Sequence, residues 1–410
     1  MELNNQLTVN AGWLVDGSAR PIRSGIQLKI IDGRIDTIRE NWPDHPGQPP
    51  DHPDATTLDL KQDTVLPALV DSHVHLSMSG TMDPEKRLGQ LDMEFGSVVN
   101  TIQRHLDQHL AAGVLAVRDG GDRWGFVMRH IHNCVTSRDS VVLVKSPGRA
   151  GHKPGRYGRL IGRAPDPSTS LAQAIELAPD PIDHVKIVNS GLNSLKVFGR
   201  QTLPQFDRSE LETAVLAAER RGIKIMVHAN GHKPVQTAAA AGCHSIEHGF
   251  FMGSGNLRLL ADKAVFWVPT AVTMHAYCRY LEQLGKETDI ARKNLDHQIE
   301  QLHRARQLNV PIALGTDAGS PAVDHGHAVV DEMKILIQAG YTIEEVIRFA
   351  SFNGAQLLGI KDLGLLAPGM PATFIVVEGD PSGLPDSLRR PKAVYLKGER
   401  VSGYKLRGAR

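Results

Sequence analysis

Two histidines, His73 and His75, follow the apolar run Leu66-Pro-Ala-Leu-Val-Asp71, two residues apart. On a strand, residues at that spacing point to the same side. Further residues able to hold a metal stand at the ends of later apolar runs: His228, His248 and Asp317, with Lys186 inside another such run. Imidazole and carboxylate suit zinc or another divalent transition metal. Such an ion depresses the pKa of water and makes a nucleophile available at neutral pH. Asp317 could accept that water's proton, because a neighbouring cation keeps its carboxylate charged. The chemistry this set points to is metal-assisted hydrolysis.

Read singly, each residue has an ordinary explanation. The chain has 19 histidines, so one His-x-His pair is compatible with packing. Lys186 could snorkel from a strand, and Asp317 after Gly315-Thr316 could cap a turn. It is the recurrence at successive run ends that argues for a site. His152, in Gly151-His-Lys-Pro-Gly155, faces either substrate or solvent, and the neighbouring Arg156 and Tyr157 are candidates for binding an anionic group. His232 reads as a loop or helix-start residue. His325 and His327 follow the last run in a glycine-containing loop, at the pocket or on the surface. His105, His109, His130 and His132 lie in or near helical stretches and need no catalytic role. There is no phosphate-binding GxxxxGK[ST] loop, no GxGxxG fingerprint around Asp119-Gly-Gly-Asp122, and no GxSxG nucleophile motif.

The elements that must position these residues alternate. Strand candidates are Leu69 to Val74, Val114 to Val117, Val141 to Val144, Val185 to Val188, Ile223 to Val227, Ser245-Ile246, Val265 to Val268 and Pro311 to Leu314. Helical patterns lie between most of them, at Val98 to Ala111, Ser170 to Leu177, Ser209 to Arg221, Lys233 to Ala241 and Thr288 to Leu308, and then at Val329 to Ala339 and Ile343 to Phe349. Such alternation predicts an α/β fold, a (β/α)8 (TIM) barrel over residues 67–363 with its chemistry at the C-terminal strand ends. A doubly wound open sheet is the alternative. Before it, Ile26, Leu28 and Ile30 alternate with polar residues, Asp32-Gly33 supplies a turn, Ile35 and Ile38 continue, and Leu58 and Leu60 resume after a Pro/Asp/His-rich loop at Asn41 to Asp54. Thr373 to Val377 and Ala393 to Leu396 are strands near the other end. Short isolated sheets are marginal, so the two ends, 1–66 and 364–410, are expected to pair into one small β-sandwich.

A chain of 410 residues with 41% hydrophobic and 22% charged residues suits a well-cored globular protein. Its formal net charge of +1, with no long basic stretch, argues against nucleic acid as a partner. The three cysteines, Cys134, Cys243 and Cys278, show neither zinc spacing nor a disulfide framework. No leader-like segment opens the chain, and no apolar run reaches roughly 18 residues. The expectation is a cytoplasmic protein, off the membrane, acting on a small molecule, with a homo-oligomer as the general prior.

The motifs Val70-Asp-Ser-His-Val-His75, Val185-Lys-Ile187, Val227-His-Ala229, Ser245-Ile-Glu-His-Gly249 and Leu314-Gly-Thr-Asp-Ala318 resemble those of the amidohydrolase superfamily. Ser351-Phe-Asn-Gly-Ala355 and Leu365 to Thr373 resemble its C-terminal pattern. The resemblance runs over nearly the whole chain. It implies a metal-bearing barrel flanked by a β-sandwich from both ends. It also implies two divalent ions, zinc by preference: His73, His75 and Asp317 on one, His228 and His248 on the other, and Lys186 bridging as N6-carboxylysine. Asp183-His-Val-Lys-Ile187 is similar to the binuclear group near Xaa-Pro dipeptidases, whereas imidazolonepropionase-like members share many motifs without needing the lysine. Amide C–N hydrolysis of a dipeptide or N-acyl amino acid is therefore expected, with Asp317 as proton acceptor and His152 contacting substrate. The alternatives are a mononuclear deaminase or cyclic amide hydrolase, a lactonase or phosphotriesterase, and a non-catalytic metal-stabilised binding protein.

Overall fold

The computed structural model describes residues 6–40, 56–134, 141–178 and 181–401; the loop expected at Asn41 to Asp54 lies outside the described residues. Strands from both ends of the chain share one seven-stranded sheet. Its order is Glu399–Arg400, Ala393–Leu396, Phe374–Glu378, Thr56–Pro67, Gln6–Leu14, Arg23–Ile31, Arg34–Glu40. The ends are joined where Phe374–Glu378 runs antiparallel to Thr56–Pro67, with Phe374 opposite Pro67 and Glu378 opposite Asp63. At the Asp32-Gly33 turn both residues have positive φ, 49° and 75°, as a tight hairpin with right-handed strand twist requires.

Alternation along Phe374–Glu378 couples this sheet to the rest of the protein. Phe374 and Val376 point into the sheet's own apolar cluster. Ile375 and Val377 point the other way, into the main core. Leu366, Met370 and Ala372 tie the preceding Pro/Gly segment to the sheet through backbone hydrogen bonds with Asp16, Ile35 and Gly33.

The middle of the chain is α/β with parallel strands. Leu69–Val74, Val114–Asp119 and Leu143–Lys145 form a three-stranded parallel sheet. His184–Val188, Lys224–Ala229, Ser245–His248 and Phe266–Val268 lie side by side in a six-stranded one, extended by the short Ala150–Gly151 and Gly162–Arg163. Helices separate successive strands, among them Phe95–Ala111, Arg208–Arg220, His232–Ala240 and Asp289–Gln307. Asp207 with Glu210 and Ser170 with Gln173 form capping boxes that start two of them. Phe126–Cys134 carries His130 and His132, whereas the helices at Pro84–Leu91, Gly253–Asp262 and Val272–Gln283 are additional to those the apolar pattern predicts. No helix among the described residues is long and apolar enough to cross a membrane.

The eighth expected strand, Pro311 to Leu314, is not a regular strand. Its segment makes isolated bridges, Ile312 with Trp267 and Ala318 with Val74. Backbone hydrogen bonds hold it on both sides: Trp267 N to Pro311 O (2.8 Å) and Ala313 N to Trp267 O (3.1 Å), then Ser72 N to Leu314 O (2.9 Å) and Asp317 N to His73 O (2.7 Å). The physical reason is Asp71. Its buried carboxylate takes the Thr316 N–H (3.0 Å) and hydroxyl (2.6 Å), a side-chain alternative to the strand ladder, and Asp317 turns to φ 58°. A π-helical stretch, Phe349–Asn353, braces the segment from outside. Asn353 Nδ2 donates to Ile312 O (2.7 Å) and Leu314 N donates to Phe349 O (3.0 Å). The Ser351 to Ala355 motif is thus a structural brace.

Ile375 is fully buried and its side chain lies where a Cβ on Gly113 would be, 2.4 Å from Cδ1. Ile375→Ala is expected to cost about 2–5 kcal/mol. Urea unfolding should show the loss as a lower midpoint with a native far-UV circular dichroism spectrum before the transition.

Candidate metal centre

Each candidate ligand leaves the C-terminal end of a parallel strand or the segment beside it. His73 lies one residue before the end of the all-buried Leu69–Val74, His75 follows that strand, His228 lies one residue before the end of Lys224–Ala229, and His248 ends Ser245–His248. Lys186 sits inside His184–Val188 and is among the largest fully buried side chains. His248 (φ 68°) and Asp317 (φ 58°) hold a left-handed backbone that is costly for non-glycine residues, so their orientation is imposed by their surroundings.

These strand ends bring all six residues together. His73 Nε2 and His75 Nε2 lie 3.4 and 3.3 Å from Asp317 Oδ1, and Lys186 Nζ lies 3.4 Å from His73 Nε2. Ring centroids are 5.0 Å apart for His73 and His248 and 4.6 Å for His228 and His248. Donor atoms of His73, His75 and Asp317 fit within 4.8 Å of one another, as a shared ion requires.

Every imidazole has one nitrogen engaged on its outer side. His75 Nδ1 donates to Gly121 O (3.1 Å) and His228 Nε2 to Gly191 O (3.2 Å). His248 Nδ1 meets Thr270 Oγ1 at 2.7 Å, and His73 Nδ1 meets Glu247 Oε2 at 2.9 Å. The opposite nitrogens are left for the centre. Asp317 Oδ2 accepts from Ser320 (2.8 Å), whereas its buried Oδ1 has no hydrogen-bond partner among the described residues. A buried carboxylate oxygen without a donor is costly unless a cation meets it. Nitrogen and carboxylate donors around it make a divalent transition metal the fitting group.

The electrostatics agree. Burial, with help from Lys186, holds His73 well below the usual histidine range and brings His228 down to about 4. Burial and His228 likewise lower His248. These rings are neutral at neutral pH, as ligation needs. Burial alone would raise Asp317, but the neighbouring His73, His75 and His248 rings outweigh it and hold the carboxylate well below its ordinary range. Burial pushes Asp71 up to about 7 and Asp119 to about 6. It brings Lys186 down to about 8, against the pull of Glu247 and Asp317. Among the described residues of this shell, the buried carboxylates Asp119, Glu247 and Asp317 outnumber the buried cations Lys186 and Arg118, a balance that favours added positive charge.

The remaining sequence candidates separate. His152 is buried after Ala150–Gly151, whose Gly151 pairs with Ile187 beside Lys186. Its Nδ1 donates to Lys153 O (2.9 Å), and its buried Nε2 has no partner among the described residues. The Tyr157 ring lies 5.4 Å from His228, and burial and Asp317 both raise its phenol pKa. Arg156 is exposed, donating to Leu203 O (3.2 Å). His232 starts a helix, and His327 is exposed. His325 is not a surface residue. It is buried in a second cluster with His105 and His109, stacking on His105 at 3.9 Å and lying 3.2 Å from His109. The cluster holds the carbonyls of Leu76 and Met78, just past His75.

Residues the sequence reading missed include Glu247, Arg118 and Arg87. Glu247 and Arg118 are charged residues inside otherwise buried strands, a signal that was present. Arg87 lies on Pro84–Leu91, which resembles an ordinary surface helix. Its Nη1 donates to the Ser79, Thr81 and Gly319 carbonyls (3.2, 3.3 and 3.2 Å), and it interacts electrostatically with Asp317 and Tyr157.

Comparison with known proteins follows the same lines. The profile of the amidohydrolase family matches residues 64–401. An uncharacterized protein of Mycobacterium tuberculosis is 26% identical over 395 residues, 94% of each chain. The crystal structure of a Xaa-Pro dipeptidase with methionine bound in its active site superposes with a TM-score of 0.80 at 24% identity, covering 97% of this chain and 100% of that one. Aspergillus niger ochratoxinase superposes with a TM-score of 0.77 at 20% identity, covering 98% and 96%. At these identities the two structures show a common fold.

The buried histidine pair has a consequence for acid stability. Burial lowers His105 to about 4 and His109 to about 3, below the 6.5 expected for the unfolded chain. Between those values the unfolded state binds the extra protons. Stability is therefore lost as pH falls from about 6.5 towards 4, by about 1.4 kcal/mol per pH unit for each group. The urea midpoint of the metal-free protein should be clearly lower at pH 5 than at pH 7, and His109→Gln should shallow that dependence; equal midpoints at both pH values would contradict it.

Proposed function

The chain belongs to the amidohydrolase family, and from that premise we propose that it is a binuclear metal-dependent hydrolase. Its substrate is a small molecule cleaved at an amide-type C–N bond, of the dipeptide or N-acyl amino acid class. The observation that carries this reading is the meeting of His73, His75, Lys186, His228, His248 and Asp317, with each imidazole anchored on its outer nitrogen.

In this reading His73, His75 and Asp317 would hold one ion, and His228 and His248 would hold the other. Lys186 stands between them. As an ammonium it would repel both ions, whereas N-carboxylation replaces that charge with two anionic oxygens suited to bridging. The ions, zinc by preference, supply Lewis acidity and lower the pKa of water to the neutral range. Asp317, steadied by Ser320, accepts the proton of the attacking water and returns it to the leaving nitrogen. In this reading Tyr157, whose ring lies beside His228, donates its phenol hydrogen to the substrate. His152 has Nδ1–H fixed on Lys153 O, so its neutral ring offers a lone pair at Nε2 and its protonated ring a donor there. Arg87, held by three carbonyls, supplies a fixed cation for a substrate carboxylate, which favours amino-acid-derived amides. The reading also takes the parallel strands to close a (β/α)8 barrel over 67–363, with 1–66 and 364–410 forming the smaller β-domain.

Protein prepared with zinc and bicarbonate is expected to carry two ions per chain and, by gentle mass spectrometry, one added CO2 on Lys186. Lys186→Ala should lose an ion and most turnover, with partial recovery on adding a short carboxylic acid. Asp317→Asn should lower kcat by about 10²–10⁴-fold on N-acyl amino acids or Xaa-Pro dipeptides. One ion per chain with an unmodified lysine would replace this reading by a mononuclear one. Full two-ion occupancy without turnover on amide, lactone and phosphotriester panels would replace it by a binding protein.

A further inference from the structure

Beneath the candidate metal centre lies a fully buried ionic pair that the hydrolytic scheme does not use. Arg118 is 3% exposed, Glu247 and His73 are 0% exposed. Arg118 Nη2 donates to Glu247 Oε1 at 2.8 Å, Nη1 to Ser245 Oγ at 3.0 Å, and Nε to Ser72 O at 2.7 Å. Ser245 Oγ in turn lies 2.5 Å from Glu247 Oε1. The guanidinium has donors only, so the serine hydroxyl accepts from Arg118 and donates to Glu247. Glu247 Oε1 therefore receives two hydrogen bonds. Oε2 remains, 2.9 Å from His73 Nδ1.

A carboxylate can only accept, so the hydrogen on His73 must sit on Nδ1. Nε2 is then a lone pair, and it faces Asp317 Oδ1 and Lys186 Nζ, each at 3.4 Å. The opposite tautomer would aim an N–H at the ion and leave two lone pairs facing each other at Glu247. Arg118 is what keeps Glu247 in this role: it engages the carboxylate on the side away from His73. It also ties the strands of His73 and His248 together, because Ser72 and Glu247 are the residues next to those ligands. We infer that Arg118 and Glu247 are positioning residues that set the Nδ1–H tautomer of His73 and so present its Nε2 lone pair to the metal site before any ion binds. The inference rests on the metal-binding part of the proposed function and not on its substrate.

The isosteric variant Glu247→Gln separates tautomer control from packing. Beside Arg118 and Ser245 the glutamine must turn its carbonyl oxygen towards those donors and its NH2 towards His73. The NH2 needs an acceptor, which moves the His73 hydrogen to Nε2. In metal-free protein labelled with 15N-histidine, with His73 assigned by signal loss in His73→Asn, the wild type should show hydrogen on Nδ1 and the variant hydrogen on Nε2. Chelator competition with zinc should show a dissociation constant raised about 10–100-fold in Glu247→Gln. Adding Arg118→Met frees the glutamine to turn its oxygen to His73, so the double variant should bind zinc more tightly than Glu247→Gln alone. A packing role alone would make the two losses add. Hydrogen on Nε2 in the wild type, a wild-type zinc affinity in Glu247→Gln, or additive losses in the double variant would each overturn the assignment. Should Glu247→Gln not fold, the wild-type spectrum decides. Failure of the wild type to bind any divalent ion would sink the hydrolase reading instead, and the spectrum, recorded without metal, still decides this one.

Discussion

A buried imidazole presents a lone pair to an ion reliably only when its other nitrogen is held by something else. That constraint organises the strand ends of this protein. His75 and His228 lean on backbone carbonyls, His248 on Thr270, and His73 on Glu247. Each partner is itself pinned. Gly121 N donates to the Asp119 carboxylate (2.9 Å), and the turn after Thr270 is held by Glu332, which accepts from Ala271 N (3.1 Å) and Val272 N (2.6 Å). The polar shell is thus a second layer that orients the first, and second-layer partners of this kind govern metal affinity.

The same shell explains departures from regular secondary structure. Asp71 points into the core one position before Ser72 and captures Thr316. A regular eighth strand would have spent those groups on a ladder. The irregular segment that results carries Asp317 in a left-handed turn, which a straight strand could not do. The π-helical Phe349–Asn353 then covers the groups the missing ladder would have used. Gly354 belongs to this arrangement, since a Cβ there would lie 2.8 Å from Val70.

Burial does not separate bracing histidines from candidate ligands. His105, His109 and His325 are as buried as the candidate ligands, yet they hold the carbonyls of Leu76 and Met78. They brace the turn that leaves His75. The family match spans residues 64–401 and so takes in all the candidate ligands. Arg87 and Tyr157 come from the segments beyond the strands.

The sequence by itself determined most of the strands and helices that carry the candidate ligands, the eighth strand excepted. Alternating apolar runs and helical periods are local signals, and His-x-His at strand spacing needs only the pleat to share a face. The pairing of the two chain ends was legible for a similar reason, because short alternating runs at both ends each lacked a partner. The outer layer was decided only by tertiary structure. Glu247 stands 174 residues from His73, and Asp71 stands 245 from Thr316. No periodicity links such pairs. They exist because parallel strands set side by side place every strand end at one face, and there a buried charge must find its partner across the sheet rather than along the chain.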